Sequence, residues 1–79
     1  MYAHYHRETD VAWFLFTGEP GDARLVSEKT DWGLIDRDSE TGQVAGIELW
    51  GASSRLPAVF LEALPEPSAE EIVIERQSA

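Results

Sequence analysis

Apolar side chains along residues 11–50 recur at every second position or fill short unbroken runs, the spacing of strands and not of a helix face. VAWFLF, residues 11–16, is apolar on both faces and rich in aromatic and β-branched residues, so it predicts an interior strand. Before it, residues 2–6 mix aromatic and polar side chains without helical period, and the charged residues 7–10 break the chain, which predicts a hairpin. GEPGD, residues 18–22, is the strongest turn cluster. Residues 23–29 alternate less cleanly and carry Arg24, Glu28 and Lys29, as an edge strand does when charge discourages further pairing. A strand over 32–36, the DSETG apex at 38–42 and a returning strand over 43–50 form the clearest hairpin.

After Gly51 the period changes. Leu56, Phe60 and Leu64 lie four apart, with Ser53 and Ser54 ahead as caps, Pro57 near the first turn, and Pro65 and Pro67 as stops. One short helix over about 54–64 follows. EEIVIER, residues 70–76, alternates carboxylates with branched aliphatics and predicts a last strand, its core at 71–76, which closes the chain's own sheet or pairs with another subunit. The fold class is therefore α+β and mainly antiparallel β, a five- to six-strand meander with one short C-terminal helix on a face. Seventy-nine residues make a single domain, 1–79, because a chain this short buries only about 60% of its unfolded surface.

One position interrupts the strand over 43–50. Two-residue alternation puts Ala45, Ile47 and Leu49 on one face and Val44, Gly46, Glu48 and Trp50 on the other. Glu48 then lies on a partly solvated face beside Arg37 or another strand's cation, or it belongs to a site in which Gly46 leaves room for a ligand or a neighbouring backbone. The six bulky aromatics Trp13, Phe14, Phe16, Trp32, Trp50 and Phe60 exceed what one sheet face and one short helix cover, so a second apolar face is expected, with Trp13 and Trp50 at an interface.

Composition narrows the classes. The chain is 43% hydrophobic with three Trp, which is too much bulky apolar material for a disordered chain. With no cysteine, neither a disulfide framework nor a thiolate zinc site is available. Six Lys and Arg stand against fifteen Asp and Glu, a formal charge of -9 that repels phosphate backbones, so nucleic acid is not an expected ligand. Such acidity serves solubility or steers the chain toward a basic protein partner. MYAHYHRETD lacks the plan of a signal peptide and VAWFLF is too short to cross a membrane, so a soluble cytoplasmic protein is expected.

YHRETDVAWF (residues 5–14), LIDRD (34–38) and GQVAGIELWGAS (42–53) together resemble a bacterial domain-of-unknown-function family, number twenty-two eighty-three. Its members read Y-D-x-E-x-D-x-L-Y, then LDYD, then a glycine turn and V-G-I-E-I-L-x-A-S. The likeness covers residues 2–54 and falls on Tyr5, Glu8, Asp10, Trp13, Asp36, Asp38, Gly42, Gly46, Ile47, Glu48, Ala52 and Ser53. His6 stands where the family has Asp, Trp13 stands where it has Tyr, and the apex loop is a residue longer. The resemblance implies a compact antiparallel β domain with no established enzymatic activity. Some members lie in operons beside small nuclease-like toxin proteins, so the resemblance also leaves room for an antitoxin-like role.

Reactive constellations are weak. His4 and His6 share strand parity, continued by Glu8 and Asp10 were the strand unbroken, and four such groups suit a divalent ion, but their spacing matches no metal-binding family. Asp36, Asp38 and Glu40 fail as a calcium loop, because Thr41 stands where glycine is required and Ile47 where a bidentate Glu is required. No G-x-S-x-G elbow surrounds Ser53 and Ser54, and GEPGD lacks the strand-loop-helix plan of a phosphate cradle. The pairs Glu8 with Asp10 and Asp36 with Asp38 would do acid–base work only if burial separated their pKa values.

The expected function is that of a non-enzymatic protein-interaction module without cofactor or metal, forming a homodimer. Its candidate interface or ligand site is Trp13, Asp36, Gly46, Glu48 and Trp50. Two alternatives remain open: an antitoxin-like inhibitor of a small basic nuclease-type partner, and a metal-dependent enzyme using His4 and His6.

Overall fold

The computed structural model describes residues 2–19, 22 and 24–67. Five strands, β1 (Tyr2–His6), β2 (Val11–Leu15), β3 (Leu25–Lys29), β4 (Gly33–Asp38) and β5 (Val44–Trp50), precede a single 3₁₀ turn (Ala52–Ser54) and a short helix, α1 (Ala58–Ala63). The strands form one antiparallel sheet in the order β1-β2-β5-β4-β3. Hairpin β1-β2 and meander β3-β4-β5 are joined through the β2–β5 pairing. The expected strand over 70–76 lies outside the described residues.

Local chemistry closes each reversal. Asp10 ends the β1-β2 turn in the left-handed region (φ 58°), which a short polar side chain tolerates. Thr30 Oγ1 accepts from the backbone N–H of Trp32 and of Gly33 at the β3-β4 turn. In the β4-β5 apex Gly42 adopts φ 74° and donates its N–H to the Asp38 carbonyl at 2.7 Å. β3 is an edge strand and β2 an interior one, as the charge pattern of the first and the two-sided apolarity of the second predict.

The register sorts the side chains by face. Ala3, Phe14, Ile47, Ile35 and Glu28 form one cross-sheet row, and His4, Trp13, Glu48, Leu34 and Lys29 form the row on the opposite face. α1 covers the first face, where Leu61 packs with Tyr5, Ala12, Phe14 and Ala52, flanked by Ile47, Leu49, Leu56 and Leu64. Phe60 stacks on Phe14 with ring centroids 6.1 Å apart.

Strict alternation fails at one place. The β4–β5 register shifts between Asp36 and Arg37, so Asp36 pairs with Gly46 but Arg37 pairs with Val44. The extra residue is Ala45, whose carbonyl accepts from both Phe16 and Thr17. This bulge carries Val44 opposite Arg37 and Val26, away from the Glu48 side on which two-residue alternation would set it.

The serine caps are also corrected. α1 begins at Ala58 behind Pro57 with no side-chain cap. Ser53 instead bonds Asp10, and Ser54 Oγ donates to the Gly51 carbonyl at 2.9 Å. The far end of α1 is held by Arg7. Its guanidinium donates to the carbonyls of Leu61 (3.1 Å), Glu62 (3.4 Å) and Leu64 (3.2 Å) and pairs with Glu66 at 2.8 Å. A cation there meets the last carbonyls of the helix, of which Leu61 also accepts the Leu64 N–H at 3.1 Å.

Two glycines permit the central strands to meet. A Cβ on Gly46 would run into the Phe14 carbonyl oxygen, and one on Gly33 into the Glu48 carbonyl oxygen. Gly46→Ala is expected to lower stability by about 1–3 kcal/mol, the usual cost of overpacking a close contact. Urea unfolding measures it, and an unchanged midpoint would show that the β2–β5 seam yields freely.

Candidate functional site

The five residues singled out from the sequence meet on the face away from α1. Trp13 on β2 pairs with Glu48 on β5, and Gly46 lies between Leu15 and Asp36. The Trp13 indole spans β5 to donate Nε1–H to Asp36 Oδ2 on β4 at 3.1 Å. Asp36 Oδ1 accepts from the Ser27 hydroxyl on β3 at 2.8 Å, so one carboxyl links strands from β2 to the far edge. Trp50 Nε1–H donates to Glu48 Oε2 at 2.7 Å.

Trp13, Asp36 and Glu48 are only 2–3% exposed, and His4 only 1%. Glu48 is therefore not on a partly solvated face. Arg37, its expected companion, lies on the other face, where its Nε meets Glu28 at 3.3 Å. Tyr2, His4 and Trp13 form an edge-to-face trio with ring centroids 5.3–5.8 Å apart. Trp13 is thus an interior residue of this chain and not an exposed anchor.

His4 and His6 do not converge with the neighbouring acids. The Thr9 hydroxyl meets His6 Nδ1 at 2.9 Å, Glu8 is exposed 4.0 Å from His6 Nε2, and Asp10 turns away toward β5. Among the described residues no three His, Cys, Asp or Glu side chains gather to hold a metal ion. Nor is any described helix long and apolar enough to cross a membrane.

A second polar cluster joins the β1-β2 turn to the chain after β5. Asp10 Oδ1 accepts from the Tyr5 hydroxyl (2.6 Å) and the Ser53 N–H (2.9 Å), and Oδ2 accepts from the Ser53 hydroxyl (2.7 Å). The Asp10 carbonyl accepts from Ala52 N–H at 3.0 Å. Donation by Tyr5 and then Ser53 to the ionised form holds the Asp10 carboxyl below its usual range, and the same bond to Asp10 raises the Tyr5 hydroxyl above its own. A carboxylate so stabilised is a poor proton acceptor, and no imidazole stands between it and Ser53. The cluster ties chain segments together. Beside it an open cleft of about 250 Å³ is lined by Tyr5, Arg7, Ser53, Ala58, Leu61 and Glu62.

The most open apolar surface was not among the expected site residues. Phe16, Val26, Val44 and Phe60 are 44–56% exposed. Val26 and Val44 flank Arg37 in one cross-sheet row, next to Ile35 and Ile47, and Phe16 continues the side of Phe14 past the end of β2. α1 shields Tyr5, Ala12 and Phe14, with Ile47 and Leu49 beside them, and leaves the part of this face at Phe16, Val44 and Val26 open. The signal in the sequence was Phe16 and Val26 at alternating positions near an edge; the bulge that adds Val44 was not visible there.

No family model, curated protein or solved structure matches this chain.

Two outcomes test this description. Trp13→Phe leaves the buried Asp36 with one fewer donor and is expected to cost about 1–3 kcal/mol of stability in urea unfolding; an equal midpoint would mean that the indole N–H contributes nothing. Because the folded pKa of Asp10 is depressed, its contribution is present above its unfolded pKa and lost as pH falls through the folded value. Asp10→Asn is therefore expected to lower stability at pH 7 and to flatten its acid-side decline. Matching pH profiles for the two proteins would refute the linkage.

Proposed function

We propose that this chain is a non-enzymatic, soluble cytoplasmic module that works by binding protein, and that the part of the helix-side face left open beside α1, at Phe16, Val44 and Val26, is its contact surface. The reading rests on one observation: four large apolar side chains, Phe16, Val26, Val44 and Phe60, stand half exposed together on a small acidic domain. Scattered apolar residues are ordinary on a surface, whereas a contiguous patch is a mark of association. Its Arg37–Glu28 pair is matched internally, so covering the patch strands no lone charge.

The Trp13, Asp36, Gly46, Glu48 and Trp50 set serves this reading as the support under the surface. Its Trp13–Asp36 and Ser27–Asp36 hydrogen bonds tie β2, β4 and β3 in the register that presents the patch. The likeness to family twenty-two eighty-three is part of the proposal, because its positions Tyr5, Asp10 and Ser53 bond one another, and so do Trp13 and Asp36. An antitoxin-like inhibitor of a basic nuclease-type partner is a special case, favoured by the charge of -9. A metal-dependent enzyme using His4 and His6 gains no support from the described geometry.

The expected result is that Phe16→Ser combined with Val44→Ser folds with native stability but loses every association of the parent chain, with itself or with another protein, in size-exclusion chromatography with light scattering. Trp50→Phe, on the opposite face, keeps them. Association retained by the double variant, or a parent chain that associates with nothing, would refute the reading.

A further inference from the structure

The helix poses a problem that the open half-face answers. α1 reads AVFLEA, and Leu61 points into the core. At about 100° per residue, Val59 and Ala63 lie about 160° from Leu61, on the side turned away from the sheet, and Phe60 projects from the flank. Val59 is 74% exposed and Ala63 is exposed too. A surface helix ordinarily keeps its outward side polar, and one that is apolar nearly all round is a helix that becomes buried. So this chain has a helix whose back is apolar and a sheet face that is half bare.

The two fit by size. Neighbouring strands lie about 4.8 Å apart and a helix is about 10 Å across, so one helix covers about two strands. Five strands leave room for a second helix beside α1, over the part of the face at Phe16, Val44 and Val26. The chain itself supplies one helix among its described residues.

We infer that the occupant is a second copy of this chain, bound about a two-fold axis so that each α1 lies on the open half of the other's sheet. Val59 and Ala63 of one copy meet Phe16, Val26 and Val44 of the other, and the Phe60 flanks of the two helices face each other across the axis. The result is two sheets enclosing a layer of two helices. This deepens the interaction reading above and rests on it. One arrangement buries all five large hydrophobic residues that are exposed among the described ones, Phe16, Val26, Val44, Val59 and Phe60. Their exposed portions amount to roughly 400 Å² per copy, about half of the ~800 Å² that each partner contributes to a stable interface, which matches the apolar share such interfaces carry.

Charge opposes this pairing at long range, since each copy carries -9. Salt screens that repulsion, so the dimer is expected to tighten as salt rises. A basic partner would behave in the opposite sense.

Sedimentation velocity of the 79-residue chain from 1 to 500 µM tests this, at about 0.02 and 0.5 M salt, which bracket the ~10 Å Debye length of 0.1 M. The expected species has twice the mass of one chain, with tighter association at high salt. Val59→Asp and Val26→Asp alter exposed positions on the helix back and the far strand. Each is expected to weaken the dimer at least about tenfold, a change of 1.4 kcal/mol, while urea midpoints at low, monomeric concentration stay within about 0.5 kcal/mol. The chain has no cysteine, so Phe60→Cys is expected to crosslink to itself under mild oxidation, and Val59→Cys is not. A monomer at every concentration, or a dimer indifferent to Val59→Asp, would overturn the inference. If the monomer still binds another protein and loses it with the Phe16 and Val44 changes, only the identity of the partner falls.

Discussion

The pairing of β2 with β5 is the constraint on which the remainder of the fold depends. It is the seam between the β1-β2 hairpin and the β3-β4-β5 meander, and both faces of the sheet are organised across it. A two-stranded hairpin is marginal by itself in water, and a third strand with an apolar face is the minimum for independent stability. Here Gly46 lets the β2 backbone approach closely, and Phe14 and Trp13 then point to opposite faces of the sheet. Phe14 builds the core under α1, and Trp13 hydrogen-bonds Asp36 on β4. Asp10 secures the same seam at its end, because its carboxylate and carbonyl hold Ser53 and Ala52 directly after β5.

The two faces solve burial differently. Under α1 the contacts are apolar and impose no direction. On the other face Asp36 is buried with an indole N–H and a hydroxyl as donors, and Glu48 is buried with the Trp50 indole among its contacts. Burying a carboxyl group is costly unless such partners are present, so these bonds chiefly avoid a penalty. What they add is register, since a slip of one residue would turn each carboxyl to the wrong face.

Much of this was legible in the chain. Alternation, an unbroken apolar run and the turn clusters between them located the five strands described and the apex at Gly42, and the two-sided apolarity of residues 11–16 marked β2 as interior. Glu48 and Gly46 stood out because a carboxylate and a glycine are poor choices for a buried strand unless a neighbour requires them. The burial of Glu48 was not legible, because its donor Trp50 lies on its own strand while its cross-strand neighbours Trp13 and Leu34 come from distant sequence. The bulge at Ala45 escaped for a related reason: it resides in the pairing of two strands, not in either strand's letters. The serines resembled caps because they precede a helix, but Asp10, more than forty residues earlier, competes for Ser53 and wins with both of its oxygens.

The acidity of the chain and its apolar half-face are compatible because they occupy different places. Glu19, Asp31 and Glu40 lie exposed in the connections between strands, and Arg7, Arg24 and Arg37 each hold an acid of their own. Those three exposed acids therefore lie at the ends of the sheet, away from the open apolar patch. At physiological salt their reach is about 8 Å, less than the separation of charges on opposite rims of a domain this size. Two faces approaching through their apolar centres meet the repulsion of those loop acids mainly at the edges, where solvent screens it, while the charges inside the buried area, Arg37 and Glu28, already neutralise each other. Acidity at the rim thus discourages indiscriminate clustering of the open face and leaves a well-fitted contact able to form.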